Sequence, residues 1–216
     1  MRETLALRTA RLELAPPIAD DIDAIHLACQ DPAVQRWTAI PSPYTRDDAA
    51  AFVARSIERS RTGEECTWAV HDAEGLVGMI GLHRIADGAA EIGYWMSAGA
   101  RGRGYGAEAG CAVVDFALGP MRLERIEWHA VAGNEASARL AQSLGFRFEG
   151  TRREGLRTDG RREDAWIAGL VSTDDRSPVE WPVLAPRTAP LRVRRRRPRP
   201  ARTSAPRTAA SIALQG

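Results

Sequence analysis

The chain of 216 residues has the length of one ordinary domain plus a tail, and its 44% hydrophobic content is enough for a real core. No run of roughly 18 apolar residues is present, and the start MRETLALRTARLEL lacks an apolar leader core, which excludes a membrane-spanning reading and predicts a soluble, cytoplasmic protein without a membrane partner. The net charge of +2 is uneven: Ser177–Gly216 holds nine arginines and one acid, about +8, which leaves about −6 for residues 1–176. Cys29, Cys66 and Cys111 are far apart and form no C-x-x-C pair, which argues against a disulfide framework or a cysteine zinc site.

In chain order, Arg8–Leu14 alternates as a first strand and Pro16-Pro17 ends it. Asp20 or Asp21 caps a helix reaching about Cys29, and Asp31-Pro32 stops it. Trp37–Tyr44 reads as a proline-punctuated loop. Thr45-Arg46-Asp47-Asp48 has capping-box spacing, with Asp in place of Glu, and opens a helix that Gly63 closes. Cys66–His71, Leu76–Ile85 and Glu91–Ser97 read as three antiparallel strands of a meander. Tyr105–Ala117 is helical and Arg122–Val131 is a strand. Asn134 caps a helix to Leu144, Gly145 ends it, and strands follow from Phe146 and over Glu163–Val171. The order predicts a mixed α/β domain over residues 1–176.

The informative stretch is Glu91–Asp115, EIGYWMSAGARGRGYGAEAGCAVVD. A strand, a glycine-rich loop and a helix start follow without a gap, an arrangement that offers backbone N–H groups to an anion. Gly102, Gly104 and Gly106 allow close backbone approach, and Arg101 and Arg103 can add charged donors. A P-loop is excluded because the chain contains no lysine. A G-x-G-x-x-G dinucleotide fingerprint fails at Ala107. Arg101-Gly102-Arg103-Gly104-Tyr105-Gly106 fits instead the R/Q-x-x-G-x-G/A loop of acetyl-CoA-dependent N-acetyltransferases. The chain resembles the GNAT superfamily, in the branch of the ribosomal-protein N-terminal acetyltransferases RimJ and RimL. The likeness covers about Leu7–Val171 and rests on ordered pieces. They are TARLEL at Thr9–Leu14, the I-P-x-P-Y-T pattern at Ile40–Thr45, EIGYWM at Glu91–Met96, the glycine loop, NEASARL at Asn134–Leu140, LGFRFEG at Leu144–Gly150 and DGRRED at Asp159–Asp164.

The resemblance implies the GNAT fold, a mostly antiparallel central sheet flanked by about four helices. It implies that acetyl-CoA lies where the strand before the loop parts from the strand after the helix. Its pantetheine arm would meet the backbone of Trp95, Met96 and Ser97, and its pyrophosphate the amides of Arg101, Gly102, Arg103, Gly104, Tyr105 and Gly106. Asn134 is implied as a further CoA-side contact. Many relatives place a thiolate-protonating tyrosine at the position of Ala141; here Ser137, as in the RimJ/RimL branch, is expected to serve the leaving thiolate. Trp37 and Tyr44, with the Gly155–Arg162 hairpin, are expected to wall the acceptor pocket.

The chemistry is attack of a neutral amine on a thioester. An α-amine with a pKa near ~7.7–8.0 is neutral in about a fifth of molecules near neutral pH, against about one in a thousand for a lysine near ~10.4. An α-amine acceptor therefore needs little from a base. Glu91 is the first candidate base or water-chain anchor, and His129 is the second. His26, His71 and His83 have no companions at metal-ligand spacing, so no metal is expected. The acceptor is expected to be a peptide N-terminus. A small-molecule amine and a GNAT-fold module that binds acyl-CoA or nucleic acid without catalysis remain alternatives, and the protein is expected as a monomer or homodimer. The Arg/Pro-rich segment 177–216, with Arg194–Arg197 at its centre, reads as disordered and able to meet a polyanion such as rRNA. Trp181-Pro182-Val183-Leu184 can dock back on the domain.

Overall fold

The computed structural model describes residues 5–158 and 160–184. The arginine-rich segment from residue 185 onward, and with it the polyanion expectation, lies outside the described residues. An eight-stranded sheet with order β1-β2-β3-β4-β5-β6-β8-β7 forms the centre. Its strands are β1 (Leu7–Arg8), β2 (Glu13–Ala15), β3 (Cys66–Asp72), β4 (Gly75–Ala86), β5 (Ala89–Met96), β6 (Arg125–Val131), β7 (Arg147–Thr158) and β8 (Arg161–Val171). Only β5 and β6 pair in parallel among the described residues, because the helix between them carries the chain back across one face.

Among the described residues five α-helices flank the sheet, one more than expected: α1 (Ile22–Ala28), α2 (Pro32–Trp37), α3 (Arg46–Thr62), α4 (Tyr105–Leu118) and α5 (Glu135–Ser143). The extra one is α2. Asp31-Pro32 does end the preceding helix, but the same pair starts the next. The Asp31 carboxylate accepts from Ala33 N at 2.7 Å, and Pro32 sits in the first turn where its missing N–H costs nothing. Trp37 is therefore the last residue of a helix and not a loop residue. The expected single strand Arg8–Leu14 is also corrected. It is two short strands folded on each other, with Leu7 opposite Leu14, because Thr9 N donates back to the Leu12 carbonyl.

α3 starts as its sequence predicts. Thr45 Oγ1 accepts from Asp48 N at 3.2 Å, and Thr45 N donates to the Asp48 carboxylate at 2.9 Å. Gly63 closes it in the left-handed conformation, φ 76°.

Two apolar layers sandwich the sheet. Trp68, Ile80, Leu82, Ile92, Val113, Ile126, Trp128 and Phe146 pack under α4 and α5. Ile25, Cys29, Val34, Tyr44, Val53 and Met79 pack under α1, α2 and α3. The first layer extends past the expected boundary at residue 176. Arg176 crosses directly over Gly145, where a side chain would strike its backbone at 2.6 Å. Gln142 then holds the Val179 carbonyl at 2.7 Å. Trp181, 2% exposed, seats its ring against Trp128 and Phe148 and donates from Nε1 to the Phe146 carbonyl at 3.1 Å.

Candidate active site

β5 and β6 run side by side only as far as Ile92 opposite Trp128. Beyond that, β6 continues to Val131 alongside β8, while β5 continues to Met96 alongside β4. A fork opens between them, lined on the β5 side by residues 93–96.

The direction of each β5 backbone group follows from the antiparallel register with β4. Ser97 N donates to Val77 O at 2.9 Å. Hydrogen-bonding pairs alternate along an antiparallel ladder. Trp95 and Gly93 therefore turn their N–H and C=O groups to β4, and Tyr94 and Met96 turn theirs into the fork. The expectation for Trp95 and Ser97 is corrected on this ground: their backbone groups are turned to β4, and those of Tyr94 and Met96 face the fork. Tyr94 was missed because strand direction is invisible without register. The Trp95 side chain packs on the opposite sheet face, with the α1–α3 layer.

After β5, a single 3-10 turn (Ala98–Ala100) leads to the glycine loop. Gly102 and Gly104 have φ of 74° and 81°, the region that only glycine enters cheaply. Gly104 is the N-cap of α4 and supplies no capping side chain. The first N–H groups of this 14-residue helix, from Tyr105 and Gly106 onward, are left for an external acceptor. Gly106 faces α5, where a Cβ would come within 3.0 Å of Leu140.

The two loop arginines are not poised as free anion donors. Arg101 donates from Nε to the Met96 carbonyl at 3.1 Å and pairs with Asp31 at 2.9 Å. Arg103 lies over the Tyr105 ring, 4.6 Å from its centroid, with Asp72 at 3.6 Å. They brace the loop against its neighbours. Glu108, in the first turn of α4, accepts from Thr9 Oγ1 at 2.5 Å and from Arg11 Nε at 2.7 Å, and Arg11 also donates to the Arg103 carbonyl at 3.0 Å. The Thr9 hydrogen bond, with Arg11 beside it, holds the Glu108 carboxyl below its ordinary range against the cost of burial.

On the α4/α5 face of the fork three polar side chains meet. Ser137 Oγ accepts from Trp128 Nε1 at 3.1 Å and stands 3.3 Å from the Tyr94 hydroxyl. Tyr94 donates its own proton to the Ser137 carbonyl at 2.9 Å. Burial pushes the Tyr94 phenol well above its ordinary value, so it stays protonated. Asn134 Oδ1 accepts from Ser137 N at 3.2 Å. The Asn134 side chain is thus the helix cap, and it fixes the turn that carries Ser137.

The opposite face carries a second polar group. Glu91 is paired with Arg84 at 2.6 Å and with His129 Nδ1 at 3.2 Å. Burial works against its charge, but the His129 hydrogen bond and the charges of His129, Arg84 and His83 outweigh it, and its pKa falls below the ordinary glutamate value. His83, opposite Glu91 in the β4/β5 register, has Nδ1 3.5 Å from Glu65. Sequence spacing gave His83 no companion; the hairpin turn at Asp87-Gly88 supplies one by placing residues 83 and 91 side by side.

The two residues expected to wall an acceptor pocket separate. Trp37 is half-buried at the end of α2, with the Arg36 guanidinium 4.5 Å from its ring centroid. Arg36 reaches across to Glu163 of β8 through two hydrogen bonds, at 3.0 and 2.8 Å, so α2 and the β7–β8 hairpin are tied together near Trp37. Tyr44 is corrected: it is 5% exposed and belongs to the core under α1 and α3. Burial pushes its phenol up, and pushes the neighbouring Cys29 thiol to about 11. Among the described residues, no three His, Cys, Asp or Glu side chains are grouped to hold a metal ion. No helix among them is long and apolar enough to cross a membrane.

Known proteins resemble this chain in sequence and in fold. The uncharacterized N-acetyltransferase p20 of Bacillus licheniformis is 28% identical over 173 residues, covering 78% of this chain and 97% of that protein. Mycobacterium smegmatis RimJ, solved with CoA-disulfide, superposes with a TM-score of 0.68 at 22% identity over 74% of this chain and 81% of its own. RimL, named as a ribosomal L7/L12 α-N-protein acetyltransferase and solved with coenzyme A, superposes with a TM-score of 0.72 at 19% identity over 77% and 98%. At these identities the two structures establish the fold. Residues 11–147, more than half of the chain, match the family described as the acetyltransferase (GNAT) domain. With the forked sheet, the uncapped α4 and relatives named N-acetyltransferases, the chain belongs to the GNAT acetyltransferase family and is an acyl-CoA-dependent N-acetyltransferase.

Proposed function

We propose that this protein transfers the acetyl group of acetyl-CoA to the α-amine at the N-terminus of a protein or peptide. The observation that carries the reading is the fork: Tyr94 and Met96 turn backbone groups into it, the Met96 carbonyl being held by Arg101, and the Tyr94 hydroxyl stands 3.3 Å from that of Ser137. The α4 N-terminus and the loop amides of Arg101–Gly106 receive the pyrophosphate of acetyl-CoA. The backbone of Tyr94 and Met96 takes its pantetheine arm as a strand is taken at a sheet edge. One of these two N–H groups also serves as donor to the oxygen of the reacting carbonyl, a contribution of roughly 2.7–4 kcal/mol in mutational precedent. Ser137 donates to the leaving thiolate.

The choice of an α-amine rests on the weakness of the available base and on the neighbours named as ribosomal-protein acetyltransferases. Glu91, held ionised by Arg84 and His129, is a poor proton acceptor and acts as the anchor of a polar path through His129. An amine already neutral in about a fifth of molecules is served by such a path, whereas a lysine, neutral in about one of a thousand, is not. Trp37 borders the acceptor entry beside the β7–β8 hairpin.

The test is CoA thiol release from acetyl-CoA with short peptides, polyamines and aminoglycosides as acceptors. Release that depends on peptide and stops when the N-terminus is blocked is the expected result. Release with small amines alone would replace the acceptor class.

A further inference from the structure

We propose that Trp128 is a positioning residue for the leaving-group step: its indole N–H fixes the Ser137 hydroxyl so that its one proton is free for the CoA sulfur. The inference rests on the fork as the acetyl-CoA site.

The argument is an inventory of donors and acceptors. A serine hydroxyl has one proton and two lone pairs. Trp128 Nε1–H, a donor that cannot accept, occupies one lone pair at 3.1 Å. Tyr94 is the other neighbour of Ser137 Oγ, but its proton is already given to the Ser137 carbonyl at 2.9 Å. Asn134 Oδ1 is given to Ser137 N. The proton of Ser137 is therefore the one mobile donor in the group. Its present acceptor is the Tyr94 oxygen at 3.3 Å, a long bond between neutral groups. A thiolate arriving in the fork offers a charge-assisted bond, roughly twice as strong as a neutral one, and takes that proton's direction.

The placement of Trp128 supports the same role. It is the last residue of β6 to pair with β5, so its side chain stands at the point where the strands part. It is 1% exposed and is backed by the Trp181 ring, with centroids 5.4 Å apart. Its N–H points from this packed pair of rings at the Ser137 hydroxyl and also faces the Tyr94 oxygen, which the Ala141 backbone approaches as well. Without it, no donor holds the Ser137 lone pair, and the hydroxyl is free to rotate away from the fork. No proton leaves Ser137; the serine donates a hydrogen bond while the thiolate forms as the C–S bond breaks.

The experiment uses the full chain with bound CoA, and so needs no acceptor. The ionisation of the bound CoA thiol is followed by the ultraviolet absorbance of the thiolate across pH. Three variants are compared with the parent: Ser137→Ala, Trp128→Phe, and the benzothienyl isostere at position 128, which keeps the bicyclic shape and removes the N–H. The thiol pKa is expected to rise by about one unit or more in each, a factor of about ten in the ionisation equilibrium. Adding Ser137→Ala to either position-128 variant should raise it no further. CoA affinity of the thiol form should stay within a few-fold of the parent. A position-128 isostere that leaves the thiol pKa unchanged while Ser137→Ala raises it overturns the inference and spares the serine. Additive shifts overturn it as well. No shift in Ser137→Ala removes the serine and this inference together. Failure of the parent to bind CoA would refute the proposed function itself.

Discussion

Trp181→Ala is the most direct test of where this domain ends. The residue lies in a segment that composition assigns to a tail, yet it is 2% exposed and its ring packs at a tilt against both Trp128 and Phe148. Truncating a buried tryptophan costs about 3–5 kcal/mol. The Phe146 carbonyl also loses its donor, which pushes the loss towards the upper end because an orphaned buried acceptor is expensive. Against a total stability of about 5–15 kcal/mol this is a large fraction. At about 2–4 °C per kcal/mol for a domain of this size, Tm falls by roughly 6–20 °C. Urea denaturation followed by circular dichroism measures it, with the slope m unchanged if only the native state is affected. Trp181→Phe should lose less, and truncation after Arg176 at least as much as Trp181→Ala. A loss below about 1 kcal/mol for Trp181→Ala, at unchanged m, would refute the placement of this segment in the core.

Other consequences are equally measurable. Gly104→Val forces a β-branched residue into a left-handed conformation at about 1–2 kcal/mol, and calorimetric acetyl-CoA affinity should fall about tenfold or more. Arg103→Ala should change that affinity less, since Arg103 is engaged by Tyr105 and Asp72; the reverse order would refute the assignment of binding to the loop backbone. Thr45→Ala removes the cap of α3 and should cost about 1 kcal/mol in chemical denaturation. Glu91 has a folded pKa below its unfolded value, so its stabilising contribution is present above about pH 4.3 and drains as pH falls through the folded value. Glu91→Gln should therefore flatten the stability–pH curve in acid, and an unaltered slope there would contradict the ion pairing seen with Arg84 and His129.

Local signals in the sequence carried well into the structure. The Thr45–Asp48 box, the Gly63 stop and the glycine loop before α4 depend on neighbours a few residues apart, and they form where the residue types demand. What failed depended on distance or direction. Asp31-Pro32 is equally good grammar for stopping a helix and for starting one, and only packing of Val34 into the core decides for a start. RTARLEL alternates like one strand, but Thr9 folds it back on itself. Tyr44 in a proline-rich segment has the same composition whether it lines a pocket or fills a core. In the candidate site, the family likeness pointed to Ser137 and to the glycine loop, which the structure places at the start of α5 and before α4. The turning of Tyr94 and Met96 into the fork, with Trp95 and Ser97 turned away, follows from a register that no single strand contains. The meetings of His83 with Glu91, and of Trp128 and Tyr94 with Ser137, likewise need the assembled sheet.

β7 forms one margin of the sheet, twelve residues long and open along its outer side. A flat, apolar margin of that length would recruit the same strand from another molecule and seed aggregates. This one exposes Arg147, Arg152, Arg153 and Arg157, and Arg157 already faces Arg162 across the hairpin. Edge-to-edge pairing of two copies would crowd the guanidinium groups of Arg152, Arg153 and Arg157, Arg147 being paired with Asp174, so the strand opposes such pairing by repulsion. Since salt screens such repulsion, crowding of these edges is most strongly opposed at low ionic strength.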